Sequence, residues 1–169
     1  MSIADALIPE LDKEIAATRK CLERIPADKF TYKPHPKSFD MGALCIHIAT
    51  MMGWGKTTVE SDSFDVAPEG GEPYVAPVVK TTEELLALFD KGAGEFRAAL
   101  AVADDATMMK TWSLLATGKV MFSMPKVAVI RGMIMNHIVH HRGQLSVYLR
   151  MCDIPVPALY GPSADEANF

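Results

Sequence analysis

The chain has 169 residues, enough for one well-filled core and too few for two comfortable domains, so residues 1–169 read as a single domain. A formal net charge of −4, a pI near 5.7 and scattered Lys and Arg provide no basic field for nucleic acid. The opening MSIADALIPELDKEI lacks a basic segment followed by an apolar one, and no apolar run approaches the ~18 residues that span a bilayer, so a cytoplasmic protein without a membrane segment is expected.

Four helices are expected. The first runs from Ser2 to about Arg24, with Ile3, Leu7, Leu11, Ile15, Thr18 and Leu22 on one face, Ser2 and Asp5 forming a capping box, and Pro26 ending it. The second runs from about Asp40 to Val59, with Ser38 or Asp40 as its cap and Met41, Leu44, Cys45, Ile48, Met51 and Met52 as its apolar face. His47 is the polar insertion in that stretch, and Trp54 lies one heptad further on, where core packing is the expected role. The third helix starts at Thr81-Thr82-Glu83-Glu84 and carries Leu85, Leu88, Phe89, Gly92, Phe96 and Leu100. The fourth opens after Ser123-Met124-Pro125 and ends near Met151, before Pro155 and Pro157. Three long connections, 26–39, 61–80 and 104–124, separate these helices, and at least one is expected to cross the bundle end to end. The tail from Ser163 to Phe169 is expected to be mobile at its end.

The fourth helix carries the most informative pattern. Val127, Ile130, Ile134, His137, His141, Gln144, Tyr148 and Met151 follow one another in steps of three and four, so two imidazoles and an amide interrupt a stripe that should face the core. Burying such groups without partners costs roughly 1–3 kcal/mol each. Rings four residues apart lie one turn apart and can converge on one ion, with His47 as a third ligand from a facing helix. Imidazole ligands suit zinc, nickel, copper or ferrous iron, and three protein ligands leave a position open for chemistry. The HExxH metalloprotease pattern is absent, because Ile138 and Val139 follow His137. Gln144 can reach a ring nitrogen or a metal-bound water. His140 should face outward, His35 should be a solvated turn residue, and Arg142 should form a salt bridge or interface contact. Cys21, Cys45 and Cys152 are odd in number and lie in apolar patterns, which points to reduced, buried thiols. The eleven methionines are expected as flexible core filler.

The segment Asn136-His137-Ile138-Val139-His140-His141-Arg142-Gly143-Gln144-Leu145, with Tyr148-Leu149-Arg150 one turn on, resembles the last-helix signature of the DinB/YfiT-like superfamily. Upstream, Tyr32-Lys33-Pro34 followed by Ser38, Gly42, Leu44 and His47-Ile48-Ala49 is similar to that family's entry into its second helix. The resemblance implies an all-α four-helix bundle with up-down-down-up connectivity and long crossover connections, frequently a homodimer, with a divalent metal on positions matching His47, His137 and His141. It also implies a small-molecule reaction, since characterised relatives include metal-dependent S-transferases using low-molecular-weight thiols such as bacillithiol or mycothiol, and a mycothiol-dependent isomerase. A thiol S-transferase is therefore the leading expectation. Its rivals are a metal-dependent hydrolase, a non-catalytic metal-binding or stress-response module, and a dimeric scaffold whose histidines are simply hydrogen-bonded in the core.

Overall fold

The computed structural model describes residues 1–167. Helix α1 (Ile3–Leu22) starts at a reciprocal cap: the Ser2 hydroxyl accepts from the Asp5 amide at 3.1 Å, and the Asp5 carboxylate accepts from the Ser2 amide at 2.8 Å. Helix α2 (Met41–Glu60) is capped by Asp40 rather than Ser38, through a 2.7 Å bond from the Ala43 amide. Helix α3 (Thr82–Ala101) begins at Thr81, whose hydroxyl accepts from the Glu84 amide. The last long segment is a short α5 (Lys126–Ala128), a π-helical stretch (Val129–Met135) and α6 (Asn136–Met151) in direct succession.

Side-chain pairs fix the helix directions. Asp12 meets Arg97 and Arg19 meets Asp90, so α1 and α3 are antiparallel. Glu10 meets Arg131 and Glu14 meets Arg142, so α1 runs with the last segment. Tyr148 donates to the carbonyl of Phe39 while His47 packs on His137, so α2 opposes α6. Two glycines let α2 and α3 run parallel in close contact: a Cβ at Gly92 would lie 3.0 Å from the Cβ of Met52, and one at Gly55 would lie 2.6 Å from the Phe96 ring. The helices thus run up, down, down and up around a core that includes Leu11, Leu44, Ile48, Phe89, Phe96 and Leu149.

The expectation of a purely helical protein needs correction, because the long connections contain structure. Residues 104–124 form helix α4 (Asp105–Met109) and an antiparallel hairpin of β2 (Thr111–Ala116) and β3 (Lys119–Pro125), and the strand β1 (Ser63–Asp65) pairs parallel to β2 in a sheet of order β1-β2-β3. The protein is mostly helical with a small three-stranded sheet. Thr117 and Gly118 make the hairpin possible, since both have positive φ, 52° and 73°, as a two-residue turn with the twist of the flanking strands requires. The Asp65 carboxylate ties this turn to β1, accepting from the amides of Gly118 at 2.7 Å and Ala67 at 2.9 Å.

One further expectation changes. The apolar stripe of the last segment does not continue through Gln144 and Met151, which are exposed; it passes instead through Ile138, Arg142, Leu145 and Leu149. The wider π turn before α6 advances the buried face by one residue, a shift that a uniform 3.6-residue period cannot anticipate. The tail is docked as far as it is described. Asp165 binds Arg150 and the Val156 amide, and Glu166 binds Arg24 and the Ala158 amide. The far end of the tail, Asn168 and Phe169, lies outside the described residues.

Candidate metal centre

His47, on the α6 side of α2, and His137 and His141, on successive turns of α6, place one ring nitrogen each within 4.8 Å of the others. Ring centroids are 5.2 Å apart for His47–His137, 4.7 Å for His47–His141 and 4.6 Å for His137–His141. The facing of α2 and α6 is set at the entry to α2, where the Tyr148 hydroxyl donates to the Phe39 carbonyl at 3.0 Å. Gly42 suits that entry, its amide donating to the Phe30 carbonyl at 2.8 Å where a Cβ would press on the same oxygen at 3.1 Å.

Hydrogen bonds fix which nitrogens face inward. A backbone carbonyl only accepts, so the 3.3 Å contact of His137 Nδ1 with Met133 O places a proton on Nδ1 and leaves Nε2 a lone pair. Met133 belongs to the π-helical stretch, a distortion frequent at functional sites. Gln144 does the same for His141: its NH₂ faces His140 Nε2 at 3.1 Å, so its Oε1 accepts from His141 Nδ1 at 2.8 Å. The two Nε2 atoms face each other at 2.8 Å, close enough to share one proton or to converge on a cation. Nitrogens bound to one tetrahedral ion at about 2.0–2.1 Å lie roughly 3.4 Å apart. That separation falls between the 2.8 Å pair and the 4.8 Å limit of the trio. Burial, with the neighbouring His141 and His137 rings, pulls the His47 pKa down to about 4, and burial also lowers that of His141. Both are therefore neutral and able to ligate at neutral pH. By donor chemistry and spacing the trio fits a divalent cation, and Gln144 and Met133 are the groups that orient its rings.

The remaining polar residues do not join this cluster. His140 is exposed beside Gln144, and His35 is exposed in its loop, accepting from the Lys37 amide. Arg142 points away from the histidines toward α1, where it is 1 % exposed against Glu14. Burial pushes the Cys21 thiol up to about 11 and raises that of Cys45, so neither is a thiolate at neutral pH.

A cleft leads away from the histidines. A cavity of about 170 Å³ is lined by His47, His137, Trp54, Trp112 and Phe122, and an adjoining one of about 330 Å³ shares Trp54 and Trp112 and adds Phe64 and Leu88. Trp54 thus walls the cleft as well as packing against the core, and its ring meets Phe64 at 5.3 Å and Tyr74 at 5.5 Å. Sequence reasoning missed Phe64, Tyr74 and Trp112. The usable signal was the pair Thr117-Gly118 between the β-prone runs Trp112–Leu115 and Val120–Phe122, which marks a hairpin.

Among the described residues no helix is long and apolar enough to cross a membrane. In sequence, the chain is 24 % identical over 163 residues to the uncharacterized protein YrdA of Bacillus subtilis strain 168, covering 96 % of this chain and 90 % of that protein. In structure, it is similar to a DinB-like protein of Bacillus cereus ATCC 10987, with a TM-score of 0.69, 20 % identity and coverage of 92 % of this chain and 97 % of that one. It is also similar to the DinB-like protein YjoA of Bacillus subtilis, with a TM-score of 0.66, 18 % identity and coverage of 89 % and 95 %. At these identities the structural likenesses establish the fold alone. The sequence model of the DinB family matches residues 3–168, nearly the whole length, and the chain belongs to that family.

Proposed function

We propose that this DinB-family chain is a metal-dependent enzyme that joins a low-molecular-weight thiol to an electrophilic small molecule. The observation that carries this reading is the convergence of three imidazoles at the end of an apolar cleft, with only three protein ligands offered among the described residues. His47, His137 and His141 would hold the ion, and imidazole donors suit zinc, nickel or ferrous iron. Once bound, such a cation lowers the pKa of a ligating thiol and raises the thiolate fraction at neutral pH. Gln144 and Met133 hold the rings of His141 and His137 in one tautomer, and Trp54, Trp112 and Phe122 exclude water from the cleft where the electrophile would sit. In the reaction the thiol proton passes to solvent, a sulfur–carbon bond forms, and the electrophile's leaving group departs with its bonding electrons, or an epoxide opens and is protonated by water.

The free thiols of Cys21, Cys45 and Cys152 agree with a reducing, cytoplasmic setting, and exposed Val147 and Met151 on α6 offer apolar surface for a homodimer. Sedimentation at micromolar concentration is expected to give a species of twice 18.5 kDa, and a monomer alone would refute the dimer.

The deciding experiment uses protein purified without a nickel column, analysed for bound metal and then assayed with cellular thiols against halogenated aromatics and epoxides. Turnover that needs both thiol and metal, and is lost in His47→Ala, is expected. Equal turnover without thiol would replace this reading with hydrolysis, and metal binding without turnover would reduce it to a binding module.

A further inference from the structure

We propose that Gly53 determines the specificity of the cleft: it leaves the larger cavity open for an aromatic ring, while the reacting end of the same molecule extends through the smaller cavity to the histidines. The assignment rests on the cleft being the substrate site of the enzyme proposed here.

Helix α2 supplies one side of the larger cavity. Ala49, Thr50, Gly53 and Thr57 line it, and their steps of three and four put them on one side of that helix, so a side chain at position 53 would project into the same space. Nothing would stop it. A Cβ at Gly53 would meet no atom within 4 Å, although the residue is half-buried. The glycines that let α2 and α3 approach are different, since a Cβ at Gly55 or Gly92 would run into Phe96 or Met52. Gly94, Gly132 and Gly143 also sit in helical segments with no neighbour for a Cβ, but they are exposed. Gly53 is thus the helical glycine that is neither crowded nor exposed. Glycine inside a helix is less stable than alanine, and at this position no packing contact demands it. What the missing Cβ leaves is room in the cleft.

The walls indicate what fills that room. Trp54, Phe64 and Tyr74 line it and brace one another, with ring centroids 5.3, 5.5 and 6.3 Å apart. The hydroxyls beside Gly53 donate back into their own helix, Thr50 to the His47 carbonyl at 3.0 Å and Thr57 to the Gly53 carbonyl at 3.2 Å. Contact there is mainly apolar and aromatic, which suits a ring stacked or set edge-on against these faces. A volume of about 330 Å³ sits at the small end of ligand pockets and fits one or two fused rings. The two cavities share Thr50, Trp54, Tyr74 and Trp112, so a ring in one and a reacting group in the other can belong to one molecule.

The probe is 2-naphthol, titrated into metal-free wild type, Gly53→Ala, Gly53→Leu and the control Gly94→Leu. Affinity should fall stepwise, about threefold in Gly53→Ala and at least about tenfold in Gly53→Leu, and stay at the wild-type value in Gly94→Leu. The Tm of Gly53→Ala should equal or exceed that of wild type, because alanine is the better helix former and meets no neighbour. A glycine required by packing would lose stability instead. In NMR spectra of the wild-type complex the Gly53 Hα protons should show Overhauser contacts to the naphthol ring. This readout decides the matter if Gly53→Leu does not fold. Absence of naphthol binding by wild type, Gly53→Leu within about threefold of wild type, an equal loss in Gly94→Leu, a lowered Tm in Gly53→Ala, or no Overhauser contact would each overturn the assignment. Zinc binding by wild type, scored separately, distinguishes the failures. Absence of zinc binding defeats the metal-enzyme reading, while intact zinc binding with naphthol affinity indifferent to position 53 defeats only the role of Gly53.

Discussion

His141 and Arg142 are neighbours in sequence, about 100° apart around α6, and the two polar clusters they enter follow opposite rules. Around Arg142 every partner is protein: the Glu14 carboxylate at 2.7 Å, the Glu14 carbonyl at 3.3 Å, the Thr18 hydroxyl at 3.1 Å and the Tyr160 hydroxyl. Around His141 the rings of His137 and His141 are each held from behind, and their Nε2 atoms are left facing one another. A closed cluster has no capacity left for a ligand and serves to join α1, α6 and the tail. An open one of the same polarity keeps ring nitrogens turned toward one another and available to a cation. The comparison predicts its largest effect at Arg142. Arg142→Ala strands the Glu14 carboxylate in the core and should cost about 3–5 kcal/mol by chemical denaturation. The folded fraction should still bind zinc as wild type does, and a loss below about 1 kcal/mol would show that the network is not structural.

The open cluster should respond with the opposite sign. In His137→Leu with His141→Leu the partners left behind are the carbonyl of Met133 and the side chain of Gln144, both on exposed residues that water can satisfy. The metal-free double variant should therefore be as stable as wild type or more so. Wild type should gain about 2.7 kcal/mol when free zinc stands a hundredfold above its dissociation constant, and the variant should gain nothing. Melts with chelator and with zinc check both statements. A destabilised variant beside a metal-indifferent wild type would make the histidines ordinary core residues.

The legibility of this chain follows the same division. The four long helices were readable because each has a local cap and a face repeating at helical spacing: Ser2 with Asp5, Asp40, Thr81, and Pro125 before Lys126. The histidine trio was readable because a 3.6-residue period already puts His137 and His141 on one side. What was not readable depends on non-local geometry. The π stretch moved the buried face to Arg142 and Leu145, and the roof over the cleft comes from β1, β2 and the Tyr74 loop, whose pairing spans about fifty residues and has no periodic signature. Gln144, three residues after His141, reaches its ring as that spacing implies, but from an exposed position at the rim rather than from the buried stripe.

Because Gln144 is exposed, its role can be separated from folding. Gln144→Ala frees the His141 ring to rotate and to exchange tautomers, and such orienting partners are typically worth 10–100-fold in metal affinity. Zinc titration against a competing chelator should show a loss in that range, with stability of the metal-free protein unchanged within about 0.5 kcal/mol. An unchanged affinity would mean that the α2–α6 packing alone fixes the ring.

The smallest expected effect tests whether the closed cluster is as independent of the open one as its geometry implies. The Tyr160 hydroxyl donates to Glu14 at 2.8 Å and accepts from Arg142, while its ring lies 5.1 Å from the Arg142 guanidinium. Burial, then the Glu14 contact, raises its pKa, so it remains a donor at neutral pH. Tyr160→Phe keeps the ring and its cation–π contact and removes only the hydroxyl. Glu14 and Arg142 still hold each other at 2.7 Å, and Tyr160 is exposed enough for water to take the vacated position. The cost should lie near the bottom of the usual range of about 0.5–1.5 kcal/mol for a hydrogen bond. Zinc affinity should not move, since no contact runs from Tyr160 to the histidines except through the body of α6. A change in zinc affinity beyond about threefold, or roughly 0.7 kcal/mol, would mean that a shift of α6 couples the two clusters, and the division between a structural face and a chemical face would fail.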